Sequence, residues 1–121
     1  KLAYDLSNNN SLNGESFNFG PPPNQNFNVM ELVNEMSAHW DKVSWKDISE
    51  KNSGPYESGL LKLDCDKAMQ SINWKAALNF QDTVRLTAEW YKLYYENPES
   101  ALENTMNQIK FYQTLRSDWV V

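Results

Sequence analysis

Residues that interrupt helices and strands limit the fold of this sequence more than any other feature. Gly20 with prolines 21–23, the segment 52–55 (Asn-Ser-Gly-Pro) and the pair Asn97 and Pro98 combine residues that end helices and strands. No apolar run exceeds three residues, so the sequence predicts no membrane-spanning helix. We therefore expect short elements that pack into one domain over residues 1–121.

Composition and charge exclude several classes of protein. Apolar residues make up 40% of the chain, with five Trp, six Tyr and five Phe, which suffices for one core and excludes wholesale disorder. Sixteen acidic and eleven basic residues give a net charge of -5, and no basic stripe is present. We therefore expect no nucleic-acid ligand. The first residue is Lys1 rather than Met, and no basic and then apolar leader follows it, so we expect the chain to be a cut or processed piece of a soluble protein.

Cys65 and His39 are the only residues of their types. A single cysteine forms no disulfide within the chain, which fits a reducing compartment. One Cys and one His do not make a zinc site of the usual spacing, so no metal site is predicted. A Cys-His dyad is one interpretation of the pair. A packed thiol and an imidazole at a helix end is the other, and it is the one we favour.

Five helical segments are predicted from apolar spacing and capping residues. Asn28 followed by Glu31 predicts a capping box at the start of the clearest one. Asp64 and Asp82 are predicted N-caps of two others, and Asn73 is predicted to end the first of these in a left-handed conformation. The stripes expected to face the core are Leu2, Ala3 and Leu6; Val29, Leu32, Val33, Met36 and Trp40; Val84, Thr87, Ala88, Tyr91 and Tyr95; and Leu102, Met106, Ile109 and Tyr112.

Three short strands are predicted between the helices. Phe17 and Phe19 alternate with polar neighbours, and so do Val43 and Trp45. The third strand is expected to run through Leu60, Leu61 and Leu63. The predicted fold class is therefore α+β, a small mixed domain that is mostly helical and has a few short strands.

The sequence by itself defines no catalytic centre. Its glycines, at positions 14, 20, 54 and 59, do not form the turn that cradles a dinucleotide, and no Tyr is followed four residues later by Lys. Asp64 and Asp66 are explained by helix capping. The aromatic run Trp90, Tyr91, Tyr94 and Tyr95 suits a stacking platform for bases or sugars, but at helical spacing we interpret it as core.

Three stretches, in order, resemble C-terminal elements of the extended short-chain dehydrogenases/reductases. They are ESFNFGP at 15–21, ESGLLKLDCDKAMQSINWKA at 57–76 and FQDTVRLTAEWYKLYYEN at 80–97. Within that superfamily, MNQIK at 106–110 is most similar to the CDP-glucose 4,6-dehydratases. The resemblance extends over nearly the whole chain.

This resemblance implies the C-terminal substrate-binding domain of an enzyme whose N-terminal Rossmann domain is absent from the chain. The absent domain would bind NAD and carry the catalytic residues, so no catalytic, cofactor-binding or metal residue is assigned here. The parent enzyme would be a lyase that oxidises the sugar of CDP-glucose, eliminates water and returns the hydride. It would be cytoplasmic and would serve deoxysugar biosynthesis for lipopolysaccharide O-antigen.

The resemblance assigns two substrate-binding residues. Glu57 matches a glutamate in the family's loop before the LKLDC segment, where its carboxylate would accept hydrogen bonds from ribose or sugar hydroxyls. A solvated loop carboxylate is the alternative. Tyr56 stands where the family usually has a histidine, and it would stack, donate from its phenol or simply pack. The family pattern also includes three residues that we interpret as structural, Asp64, Lys67 and Trp74.

The partners expected on this basis are the nucleotide-sugar substrate and the absent Rossmann domain. Arg85 and Arg116 are candidates for a phosphate contact. Apolar surface that faced the absent domain would allow self-association. One alternative is another nucleotide-sugar enzyme of the superfamily, such as an epimerase or a GDP- or dTDP-sugar dehydratase. Another is a stand-alone binding or interaction module.

Overall fold

The computed structural model describes residues 1–46 and 62–116, and the regular structure within these ranges is helical. The five α-helices are α1 (Leu2–Asn8), α2 (Val29–His39), α3 (Asp66–Ile72), α4 (Phe80–Glu96) and α5 (Ala101–Thr114). Single 3₁₀ turns lie at Asn10–Leu12 and Pro98–Ser100. In the part of the chain described, no helix combines the length and apolar character needed to cross a bilayer.

The predicted α+β class is wrong, because no strand forms within residues 1–46 and 62–116. The segments around Phe17 and Leu63 do lie side by side, but the bond that joins them comes from a side chain, with Asn18 Nδ2 donating to the Asp64 carbonyl at 3.2 Å. A strand requires a ladder of backbone bonds to a neighbour. Prolines 21–23 lack the N–H groups that would extend such a ladder.

The other two predicted strands have separate outcomes. The Val43 N–H bonds to the Trp40 carbonyl at 3.0 Å, so this segment makes a turn at the end of α2 rather than a strand. Leu60 and Leu61 of the third predicted strand lie outside the described residues.

Side-chain caps mark the start of α2 and α4, and a left-handed residue marks the end of α3. The predicted capping box is confirmed: Asn28 Oδ1 accepts from the Glu31 N–H at 2.9 Å, and Glu31 Oε2 accepts from the Asn28 N–H at 2.7 Å. The left-handed residue at the end of α3 is also confirmed, since Asn73 has φ 49°.

The N-cap predicted at Asp82 is wrong. Asn79 caps α4 instead, with its Oδ1 accepting from the Asp82 N–H at 2.7 Å. Phe80 stacks on Phe27, with ring centroids 3.7 Å apart and planes at 12°. This contact lies in the first turn, so the helix starts early enough to include Phe80.

Two groups of residues make up the interior of the described chain. The first, called here the N-terminal cluster, contains the buried residues Leu12, Ala68 and Ile72, with Leu2, Phe17 and Trp74 packed against them. The second, the helical layer, consists of α2, α4 and α5, with α4 in contact with both other helices. Its buried apolar residues are Val84 and Ala88, both on α4.

Side-chain hydrogen bonds join α4 and α5 within the helical layer. Trp90 Nε1 on α4 donates to Thr105 Oγ1 on α5 at 2.8 Å, and Gln108 Nε2 donates to the Leu86 carbonyl at 2.7 Å. The core-facing role predicted for Leu102, Met106 and Ile109 is wrong, because all three are exposed. The helix turns its polar residues towards α4 and its apolar stripe towards solvent.

Candidate functional site

A groove of about 500 Å³ lies where the N-terminal cluster meets the segments around it. We call it the proline groove; it is lined by residues 20–23, 62–66, 69 and 74–76. A second cavity of about 380 Å³ adjoins it, shares prolines 21–23 with Lys62 and Leu63, and extends to Phe27 and Phe80. Cavities of this size accommodate small organic ligands.

Local sequence explains the walls of the proline groove. Prolines 21–23 have restricted backbone torsions and form one wall. Gly20 lies close to the other wall, since a side-chain carbon there would meet Cys65 Sγ at 3.5 Å. The left-handed Asn73 reverses the chain after α3, and the Trp74 N–H bonds to the Ala68 carbonyl at 3.1 Å. This turn places Trp74 in the groove, where Phe19 meets its ring edge-on at 4.8 Å.

Both charge signs line the groove. Lys62 Nζ donates to the Pro23 carbonyl, and Lys75 is exposed along the same wall. Asp64 and Asp66 also line the groove, and Asp64 Oδ1 accepts from the Asp66 N–H at 2.9 Å. Two ammonium groups, two carboxylates and one indole suit a ligand that carries both anionic groups and hydroxyls.

The two substrate-binding residues predicted from the resemblance, Tyr56 and Glu57, lie outside the described residues. The surface role of Lys67 and the packing role of Trp74 agree with the geometry, but the N-cap predicted at Asp64 is wrong by one residue, because Cys65 is the N-cap of α3. Asp64 bonds to the start of α3 and Trp74 packs on the N-terminal cluster. Lys67 Nζ pairs with Glu15 Oε2 at 2.6 Å, and this bond and charge lower the pKa of Glu15.

The two arginines considered for a phosphate contact are already engaged. Arg85 bonds to Asp82 and Glu89 at 3.2 Å each, and these carboxylates raise its pKa. Arg116 is buried and donates to the Lys75 carbonyl. Neither residue lines the proline groove, so the phosphate role finds no support in their positions.

Cys65 and His39 do not form a dyad. The Cys65 thiol donates to the Leu63 carbonyl at 3.7 Å, and His39, the last residue of α2, faces Glu35 with 3.4 Å between Nε2 and Oε1. Within residues 1–46 and 62–116, no group of three or more His, Cys, Asp or Glu side chains is arranged to hold a metal ion.

The aromatic run on α4 lies at the surface, so its interpretation as core is wrong for the tyrosines. Tyr91, Tyr94 and Tyr95 are all exposed. Trp90 stacks on Tyr94 at 5.3 Å with planes at 8°, and Tyr95 stacks on Trp40 of the α2 end at 5.5 Å. These rings therefore make aromatic contacts with one another while the tyrosines stay exposed to solvent.

Sequence reasoning missed Lys62 and the prolines as site residues. The prolines were expected only to form a loop, and Lys62 belongs to no helical stripe. Lys62 and Pro23 are 39 positions apart, so their contact depends on tertiary structure. A lysine next to the family-like LDC segment is the one local signal that points to it.

Comparison with known proteins adds an independent observation. The chain is 32% identical over 79 residues to CDP-glucose 4,6-dehydratase of Salmonella typhimurium strain LT2. The relation is distant and partial. The matched region covers 64% of the chain and 21% of the relative, so the chain spans about a fifth of that protein's length. No family model matches the chain, and no solved structure does.

Proposed function

We propose that this chain is the nucleotide-sugar-binding C-terminal part of an NAD-dependent CDP-glucose 4,6-dehydratase and is catalytically incomplete alone. The observation that carries the proposal is the 32% identity to such an enzyme. The parent protein would be a cytoplasmic lyase of deoxysugar synthesis, and the relative's unmatched length would correspond to its Rossmann domain.

The proline groove supports the binding role through its chemistry. A nucleotide sugar presents a diphosphate, a flat base and many hydroxyls. Lys62 and Lys75 supply the two ammonium groups for the diphosphate, in a chain whose net charge of -5 otherwise repels it. Asp64 and Asp66 accept hydrogen bonds from hydroxyls, and the Trp74 ring offers an apolar surface. The resemblance implies that Glu57 and Tyr56 would add further contacts to the nucleotide sugar.

The two glycines that the structure describes do not suit NAD. Gly14 lies with φ 81° in the turn after a 3₁₀ helix, and Gly20 precedes three prolines, so neither opens a helix after a strand as a pyrophosphate turn requires. We therefore assign NAD to the remainder of the parent protein. This chain would contribute binding and orientation of the nucleotide sugar.

Isothermal titration of the chain with CDP-glucose tests the binding role. Lys62→Ala and Lys75→Ala should each weaken binding about tenfold, because each removes a charge-assisted contact with the diphosphate. Lys42→Ala is the matched control, because Lys42 is exposed and lies outside the groove. This variant should bind CDP-glucose with the same affinity as the unsubstituted chain. With NAD present, the chain alone should convert no CDP-glucose.

Parallel titrations with dTDP-glucose, GDP-mannose and glucose 1-phosphate separate the alternatives. Tighter binding of another nucleotide sugar would favour a different enzyme of the superfamily. Binding of no nucleotide sugar at millimolar concentration, or equal losses in all three lysine variants, would refute the assignment of the groove.

A further inference from the structure

Helix α5 presents an apolar stripe to solvent. Leu102, Met106 and Ile109 are 75%, 45% and 46% exposed, and their spacing puts them on one face. A different face of the helix meets α4, through Thr105 and Gln108. The stripe therefore has no cover within the described residues, although it is the part of α5 that gains most from burial.

Charges beside this stripe have a regular order. Glu103 and Lys110 are seven residues apart, so they lie on the same side of the stripe, one position after Leu102 and Ile109 respectively. Both are exposed, and neither forms an ion pair within residues 1–46 and 62–116. A partner helix that placed a base beside Glu103 and an acid beside Lys110 would match them.

A second copy of α5, running antiparallel to the first, has the charges that such a partner helix needs. We propose that α5 is the interface of a homodimer, in which two copies pair antiparallel about a twofold axis. Met106 then packs against Ile109 of the second copy, and Leu102 packs against the aliphatic stem of its Gln113. Glu103 lies beside Lys110 of the second copy, and twofold symmetry repeats the pair.

Charge complementarity favours this occupant and this direction. In a parallel pair, Glu103 and Lys110 would face the uncharged Thr105 and Tyr112 positions of the second copy, so neither charge would gain an opposite partner. Tyr91 on α4 borders the stripe across a shallow cavity of about 460 Å³, so it adds apolar surface to the same face. The inference is independent of the nucleotide-sugar proposal, because it uses neither the proline groove nor its residues.

Sedimentation velocity over a range of concentrations tests the interface. The chain should pass from monomer to dimer as its concentration rises, and Ile109→Glu should leave it monomeric throughout. Val29→Glu is the matched control, since Val29 is 75% exposed on α2 and receives the same new charge. That variant should dimerise like the parent chain.

A charge-reversal cycle tests the register. Glu103→Lys and Lys110→Glu should each weaken dimerisation several-fold, because each places like charges together at two symmetric positions. The double variant reverses both charges and should restore parental affinity. Circular dichroism would check that each variant keeps its helices.

A chain that is monomeric at every concentration would overturn the proposal and assign the stripe to another occupant, such as the remainder of a longer polypeptide. Dimerisation that survives Ile109→Glu, or that the double reversal does not restore, would overturn it as well.

Discussion

The N-terminal cluster and the helical layer differ in the relation between local order and burial. The cluster has two helices of only seven residues, α1 and α3, yet it buries Leu12 and Ile72. The layer has the three longest helices of the described chain, yet its buried apolar residues are the small Val84 and Ala88. Long helices therefore do not by themselves make a core.

The two regions accordingly have different roles. The N-terminal cluster fixes the rings of Trp74 and Phe19, and so it gives the proline groove a firm wall. The helical layer keeps large apolar side chains such as Leu102 at its surface, where a second polypeptide can cover them. Four sets of variants test whether the two regions differ in this way.

Truncating the centre of the N-terminal cluster should have the largest effect. Ile72→Ala leaves a cavity at a side chain that is 4% exposed, so the free energy of unfolding should fall by about 2–5 kcal/mol. Urea denaturation measures it. Val29→Ala, at an exposed position of the helical layer, should change stability by less than about 0.5 kcal/mol. Similar losses in the two variants would remove the contrast between the regions.

Within the helical layer, the loss of a helix cap should reduce stability. Asn79→Ala removes the acceptor for the Asp82 N–H, so the free energy of unfolding should fall by about 1 kcal/mol. Asn107→Ala, in the exposed middle of α5, is the control and should not destabilise the chain, since Ala is the better helix former. Equal effects would mean that the Asn79 cap contributes nothing.

The turn that carries Trp74 should depend on residue 73. Asn73→Ala places a residue whose side chain has no hydrogen-bonding group at φ 49°. The free energy of unfolding should therefore fall by roughly 0.5–1 kcal/mol. Asn73→Gly adopts this conformation without strain and should be at least as stable as the parent chain. Thermal unfolding compares the two. A more stable Ala variant would contradict the role of the left-handed residue.

The smallest effect concerns the ion pair between Glu15 and Lys67. Because Lys67 lowers the pKa of Glu15, the pair stabilises the fold above the ordinary pKa of Glu, and this contribution is lost as the pH falls through the lowered value. The pair is exposed, so the change in stability should be slight. NMR titration should show the Glu15 pKa rise towards its ordinary value in Lys67→Ala and stay low in Lys42→Ala.

Local sequence signals predicted the helices well and their environment poorly. The capping box at Asn28 and the left-handed Asn73 depend on neighbours within a few residues, and both were predictable. Asn79 and Asp82 are both good caps, and the Phe80 contact with Phe27, 53 positions away in sequence, decides between them. Apolar spacing predicted α5 but not which of its faces α4 would meet.

Local sequence patterns do not contain the information that decides whether a strand pairs or which segments form a groove. The Phe17 segment alternates as a strand does, but pairing depends on a distant neighbour, and the neighbour contributes a bond from the Asn18 side chain. Lys62 and Pro23 likewise meet only in the folded chain. The resemblance named the class of ligand, while the tertiary structure supplied the groove in which we place it.

NMR titration with CDP-glucose tests whether the nucleotide sugar binds in the proline groove. The indole N–H signals of Trp74 and Trp90, assigned with Trp74→Phe and Trp90→Phe, report on the proline groove and on the aromatic run of α4. Saturating CDP-glucose should shift the Trp74 signal and the amide signals of Gly20 and Lys62, and it should leave the Trp90 signal unchanged. Shifts centred on Trp90, or none at either site, would contradict it.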